Sequence, residues 1–379
     1  MTAETALSNA RIVLANEIVE GSLVLRDGFI AGIDAGGSRS GEDMGGDYVI
    51  PGLVELHTDH LEGHYAPRPK VRWNPIAAVL AHDAQVATAG ITTVLDALRV
   101  GMDEDADLTL ADIRKLADAI EDSVAQDRLR ADHFVHLRCE VSAPDCLQAF
   151  ADFDRDDRVK LASLMDHAPG QRQFVNLETY AYYYQRKLKL TDRDFKLFCE
   201  KRMAESARYS APNRAVIAAA CRERGIVLAS HDDATSGHVD EAIEQGVRVA
   251  EFPTTEEAAR ASKAAGLGVL MGAPNVMRGA SHSGNVSARA LAGDGLLDIL
   301  SSDYIPFSLI QSAFFLGDMV EGISLPQAVA MVSKNPAEAV GLTDRGVIEQ
   351  GRRADLVRVR VDDHVPVVRT VWRQGRRVA

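Results

Sequence analysis

The chain has 379 residues, with 46% hydrophobic and 26% charged residues, the composition of a folded globular protein long enough for about two domains. Its formal net charge of -13 argues against general binding to nucleic acid or to an anionic membrane, because phosphate groups would be repelled. A small anionic substrate stays open, since a local basic cluster or a bound metal reverses the field inside one cleft.

No apolar run approaches the roughly 20 residues that span a bilayer. The opening stretch M-T-A-E-T-A-L-S-N-A has neither the basic nor the apolar part of a secretory signal. Cys139, Cys146, Cys199 and Cys221 form no C-x-x-C pair, so a reducing cytoplasm is the expected location.

Residues 1–50 read as short antiparallel strands with a tight turn at Asp27-Gly28, followed by a Gly-rich loop from Gly36 to Gly46. From Pro51 the texture changes. Eight short apolar runs recur, from L-V-E-L-H and I-T-T-V-L-D-A through H-F-V-H-L-R-C-E to L-L-D-I-L-S-S-D, mostly separated by helix-compatible stretches. This alternation predicts a parallel sheet, and eight strands predict a closed barrel. No G-x-G-x-x-G follows the first strand, which disfavours a dinucleotide fold. The long connection over residues 168–225 predicts extra helices covering the barrel mouth. After Asn335-Pro336 alternating strands return and supply a partner for the N-terminal ones. The expected fold class is α/β: a (β/α)8 TIM-like barrel over 51–339, with a small discontinuous β-sandwich from 1–50 and 340–379.

A barrel of this kind carries its active site at the carboxyl ends of its strands. Strand alternation places Glu55, His57 and Asp59 on one face. Asp96 ends the second strand and Glu140 the third, with His136 and Arg138 on the same parity. Asp166-His167 ends the fourth, Ser230-His231-Asp232-Asp233 the fifth, and Ser301-Ser302-Asp303 the eighth. Singly, Asp166 or Asp232 reads as a helix cap, and His167 or His231 as a core imidazole. Together they read as a metal site. His57 and Asp59 are assigned to one ion, His167 and His231 to another, Glu140 to a bridge, and Asp303 to a metal and the proton of the attacking water. Imidazole and carboxylate donors suit one or two divalent ions per chain, zinc first and manganese as the alternative. Such ions bring a shared water to hydroxide near neutral pH. His82 reads as structural, His238 as a cap or surface group, His364 as solvated, and His60 and His64 as structural or substrate-contacting.

Three stretches have the residues of anion binders. Arg68, Lys70 and Arg72 follow strand one, and Gln171 and Arg172 follow His167. Arg278, Ser281, His282, Ser283 and Asn285 follow strand seven, interleaved with Gly279 and Gly284, where backbone N–H groups can approach a phosphate.

These residues resemble the amidohydrolase superfamily, and within it the branch of ribose 1-methylphosphonate 5-triphosphate diphosphatases of the carbon–phosphorus lyase pathway. The resemblance runs through P-G-L-V-E-L-H-T-D, P-R-P-K-V, H-L-R-C-E, S-L-M-D-H-A-P-G-Q-R-Q-F, A-S-H-D-D-A-T, A-E-F-P-T-T, M-G-A-P-N-V-M-R-G, S-H-S-G-N and L-D-I-L-S-S-D-Y. It implies hydrolysis of a ribose 5-triphosphate bearing a 1-phosphonate, with release of diphosphate and retention of the 5-phosphate. A phosphorylated ribose phosphonate is then the substrate, and a homodimer is left open. Where the superfamily often has H-x-H, this chain has His57-Thr58-Asp59. The rival readings are a hydrolase of a C–N bond, in a cyclic amide or an N-acetyl sugar, and a non-catalytic subunit of the phosphonate machinery.

Overall fold

A computed structural model of the chain describes residues 4–36, 40–102, 108–172, 180–185, 188–281 and 284–379. The first strands are β1 (Glu4–Val13), β2 (Ile18–Arg26), β3 (Phe29–Ala35), β4 (Glu42–Asp43) and β5 (Tyr48–Pro51). The barrel strands are β6 (Leu53–Thr58), β7 (Ile91–Val100), β8 (Asp132–Glu140), β9 (Val159–Met165), β10 (Val227–His231), β11 (Val249–Glu251), β12 (Gly268–Gly272) and β13 (Ile299–Ser301). The chain closes with β14 (Leu356–Asp362), β15 (Val365–Arg373) and β16 (Arg376–Arg377).

The strands from β6 to β13 pair in parallel, each with the next, as the alternation of apolar runs and helices dictates. The ring closes through a bridge between Thr58 and Asp303, where the Asp303 N–H donates to the His57 carbonyl at 3.1 Å. Lower down, β6 and β13 both bond to the segment after them in sequence: Val54 N–H donates to Val332 C=O and Leu300 N–H to Met331 C=O, each at 2.9 Å.

Alternation sorts the strand residues between two cores. Leu56, Leu95, Leu161, Val249 and Leu270 fill the barrel interior. Leu98, Val100, Leu137 and Cys139 point outward against Val79, Ile113 and Ile120 of the covering helices. The strands are apolar on both faces because both faces are buried.

The long connection holds a helix over Asp192–Arg224. It starts behind Thr191, whose hydroxyl accepts the Asp194 N–H at 3.2 Å, and stops at Gly225, which takes a left-handed φ of 68°. It docks over the carboxyl ends of β8 and β9: Asn213 Nδ2 donates to Val141 C=O at 2.9 Å, and Ser206 Oγ to Asp166 Oδ2 at 2.8 Å. Among the described residues no helix is long and apolar enough to cross a membrane.

The terminal strands form one sheet, ordered β16-β15-β14-β5-β1-β2-β3, with β5 antiparallel to β14. The sheet coils back on itself, so that Ile30 N–H reaches Arg352 C=O and Ala354 N–H reaches Gly28 C=O, each at 2.9 Å. It thereby encloses Leu7, Ile12, Leu23, Leu25, Val49, Leu356 and Trp372. Its other face, with Val13, Ile50, Val357 and Val371, packs against barrel residues such as Ile91.

Gly52 joins the sheet to the barrel. Its N–H donates to Asp355 C=O at 2.8 Å, and a Cβ there would lie 2.2 Å from Thr92 Oγ1 and 2.7 Å from its Cγ2. Gly52→Ala is therefore expected to cost about 1–3 kcal/mol, the usual range for overpacking, seen as a lower melting temperature. Pairing it with Thr92→Ala should restore part of the loss; a single variant as stable as the parent would show that this junction has slack.

Candidate metal centre

The centre is built on Glu251, the last residue of β11, which is fully buried. Its Oε1 lies 3.1 Å from His57 Nδ1 and its Oε2 lies 3.1 Å from His231 Nδ1. Ser163 Oγ donates to Oε2 at 2.6 Å. Burial opposes ionisation, but the surrounding imidazoles hold the Glu251 carboxyl well below the usual range. A second buried carboxylate does the same for a third ring: Glu140 Oε2 lies 2.6 Å from His167 Nδ1. Glu140 Oε1 accepts from Ser142 Oγ at 2.7 Å and from the His167 N–H at 3.1 Å. Against the cost of burial, His167 and the nearby Arg99 and Arg202 depress its pKa.

A carboxylate at Nδ1 fixes ring orientation and directs Nε2 elsewhere, as in many metal sites. Here Nε2 of His167 and Nε2 of His231 lie 3.8 and 3.5 Å from Asp232 Oδ2. These three residues each offer a ligand atom within 4.8 Å of the others. Asp232 takes this position from a left-handed backbone, φ 56°, with its N–H on the Glu251 carbonyl at 2.9 Å. His57, His136 and Glu251 are as close together, but both nitrogens of His136 are engaged, Nδ1 with Leu56 C=O at 2.9 Å and Nε2 with Ser163 Oγ. That second group is a hydrogen-bond network, and burial pushes the His136 pKa down to about 3. Two imidazoles and a carboxylate converging in this way fit a divalent ion of the zinc type.

The ligand groups open on a cleft of about 300 Å³, lined by His57, Arg138, His167, His231, Asp232, Phe252, Asn275, Arg278, Ser281, Asn285, Asp303 and Tyr304 among others. Phe252 stands edge-on to His57 and His231, with ring centroids 5.1 and 5.3 Å away. Arg138 Nη1 lies 3.3 Å from Asp59, while its buried Nε has no hydrogen-bond partner among the described residues.

Of the residues expected from the sequence, His57, His167, His231, Asp303, Arg278, Ser281 and Asn285 meet in this cleft. Others are elsewhere. Asp59 stands at the residue before a helix, without a side-chain capping bond, because β6 ends at Thr58 and strand alternation does not reach it; its carboxylate faces Arg138. Glu140 lies behind His167 and orients it, where a bridge between two ions was expected. Arg172 is buried between Asp233 and Glu241, so its guanidinium is committed to protein carboxylates. Arg68, Lys70 and Gln171 are exposed and do not line the cleft. His282 and Ser283 lie outside the described residues.

The weaker candidates also have places. His238 accepts the Ala234 N–H at 3.2 Å, and His364 pairs with Asp318 at 2.8 Å on the surface. His82 is fully buried and bonds Asp96 through Nε2 at 2.8 Å. His60 and His64 are half-buried beside it, and burial lowers both pKa values. Sequence reasoning gave Glu251 no role, noted Arg138 only by its parity, and counted Asp232 among the strand-end polar residues without making it a ligand. The available signal was the charge in V-R-V-A-E-F: a glutamate inside an apolar parallel strand has to be buried with a partner.

Fold and site together define a barrel hydrolase of the metal-dependent kind. Residues 85–379 match the family model described as Amidohydrolase family, and the chain belongs to the amidohydrolase family, whose members use divalent metals. It is 50% identical over 376 residues to the alpha-D-ribose 1-methylphosphonate 5-triphosphate diphosphatase of Escherichia coli strain K12, covering 98% of this chain and 99% of that protein. It is 25% identical over 393 residues to an imidazolonepropionase of Deinococcus deserti, covering 95% and 92%. Among solved structures, N-acetyl-D-glucosamine-6-phosphate deacetylase from Mycobacterium smegmatis superposes with a TM-score of 0.65 at 16% identity, covering 99% of each chain. The 5-methylcytosine deaminase of Klebsiella pneumoniae also gives 0.65, at 15% identity, covering 99% of this chain and 98% of that one. At such identities the likeness carries the fold alone.

Because Glu251 orients two imidazoles at once, Glu251→Gln should weaken metal retention by about 10- to 100-fold, the usual cost of losing such a partner. Competition with a chelator measures this. Unchanged retention would remove Glu251 from the centre.

Proposed function

We propose that the chain hydrolyses α-D-ribose 1-methylphosphonate 5-triphosphate to the 5-phosphate, releasing diphosphate, as a step in phosphonate use. The observation that carries this reading is a cleft that joins metal-type donors to two guanidinium groups, Arg138 and Arg278. The identity to the diphosphatase of Escherichia coli over nearly the whole chain supports the substrate.

His167, His231 and Asp232 would hold a divalent ion, zinc by donor type, and His57 and Asp303 face the same cleft from β6 and from just after β13 as candidates for a second. When bound, such an ion polarises a phosphoryl oxygen and lowers the pKa of a water.

The chain's own residues do the rest. Arg138 lines the cleft, and Arg278 stands at the end of the short helix Ala273–Arg278, so two guanidinium groups would be within reach of phosphate oxygens. Asn275 shapes the loop: its Nδ2 donates to Val286 C=O at 3.3 Å and its Oδ1 accepts the Ala288 N–H at 3.0 Å. Asp303, on the cleft wall, would take the water's proton. The water oxygen bonds to phosphorus as the anhydride bond between the α and β phosphates breaks, and the proton is available to the leaving group. Phe252 walls one side of the cleft with an apolar ring.

Two measurements test this. Asp303→Asn keeps a side chain of the same shape that cannot accept the proton. It should bind metal and substrate but lose at least about 10²-fold in turnover. Near-normal turnover with metal bound would take Asp303 out of the mechanism. Phosphorus NMR of early time points should show diphosphate as the first product. Stepwise orthophosphate release through a 5-diphosphate, or turnover confined to N-acetyl sugars or cyclic amides, would overturn the assignment.

A further inference from the structure

The wall formed by β6 and β7 has chemistry on both sides. His57 points into the barrel mouth, whereas Asp96 shares the parity of Leu98 and Val100, which face the covering helices. On that outer side lie His60 and His64 of the helix His60–Tyr65 and His82 of the helix Pro75–Thr88. We propose that these three histidines form a second metal site, separate from the cleft, that takes one zinc-type ion and clamps the segment following His57 to the barrel wall.

Four observations support it. His60 and His64 are four residues apart on one helix, so they lie on the same face. Each of the three rings offers a nitrogen within 4.8 Å of the other two. Ring centroids are 5.0 Å apart for His60 and His64, and 6.1 Å for each of them with His82. Most tellingly, the Nδ1 atoms of His60 and His82 are buried with no hydrogen-bond partner among the described residues, although His82 is fully buried. A buried polar atom left without a partner costs free energy, and a missing ion accounts for two at once.

The surroundings have the form of a ligand support. Asp96 Oδ1 lies 2.8 Å from His82 Nε2, and Asp96 Oδ2 lies 2.8 Å from His133 Nδ1, so the carboxylate that orients His82 is itself held. His64 Nε2 lies 3.0 Å from Gln85 Oε1. Ligating histidines commonly have their second nitrogen fixed in this way. Three nitrogen donors without a carboxylate select zinc-type ions over magnesium or calcium. The half-buried faces of His60 and His64 give solvent access for a water as fourth ligand.

This site does not depend on the substrate assigned above. The test is metal counting on the full chain, loaded with zinc alone and dialysed. His60→Ala and His64→Ala should each bind one zinc fewer per chain than the parent, with turnover kept within about threefold. Equal zinc in parent and variants would overturn the proposal. On the parent itself, zinc should protect His60 and His64 from diethyl pyrocarbonate, mapped by mass spectrometry after removal of the reagent. Equal modification with and without zinc would overturn it even if the variants failed to fold.

Discussion

One buried carboxylate organises the mouth of the barrel. Glu251 holds two imidazoles from different strands, His57 on the distant β6 and His231 on the adjoining β10. An ionised carboxylate without solvent is expensive unless it is hydrogen-bonded, and Ser163 adds a third partner. The constraint runs both ways. The rings are fixed because the carboxylate is buried, and the carboxylate tolerates burial because the rings and the hydroxyl surround it. Removing any one member leaves a charged or polar group stranded, which makes the arrangement stiff.

Much of this was legible in the sequence, for identifiable reasons. The barrel could be read because its strands, apolar on both faces, stand out against amphipathic helices. His57, His167, His231 and Asp303 could be read because strand ends converge in a barrel, so polar residues there meet whatever their separation. What failed is equally physical. Asp59 was placed by alternation, but the strand stops one residue earlier and a helix begins. Arg172 was read as an anion binder from its position, yet two nearby carboxylates claim it. Glu140 has the residue type of a ligand, and only three-dimensional spacing shows it behind His167. Glu251 was hidden in an apolar strand, where a single charge reads as an irregularity.

The wall between β6 and β7 shows how little sequence distance is needed to separate two chemistries. Thr58 pairs with Asp96 in register, and one residue either way faces the other compartment. His57 therefore serves the cleft, while His60, only three residues on, belongs to the outer cluster because the chain turns into a helix between them. A helix of six residues does this work.

The terminal sheet has a consequence for biosynthesis. Asp47 meets Arg358 across a sequence separation of 311 residues, beside the β5–β14 pairing. During translation the N-terminal strands leave the ribosome long before their partner exists. Until β14 is made, β5 presents an open edge, and open edges recruit foreign strands. Closure of so long a loop is also slow. The nascent chain thus spends most of its synthesis with an unfinished seam, an edge that must be kept from foreign strands until its partner is made.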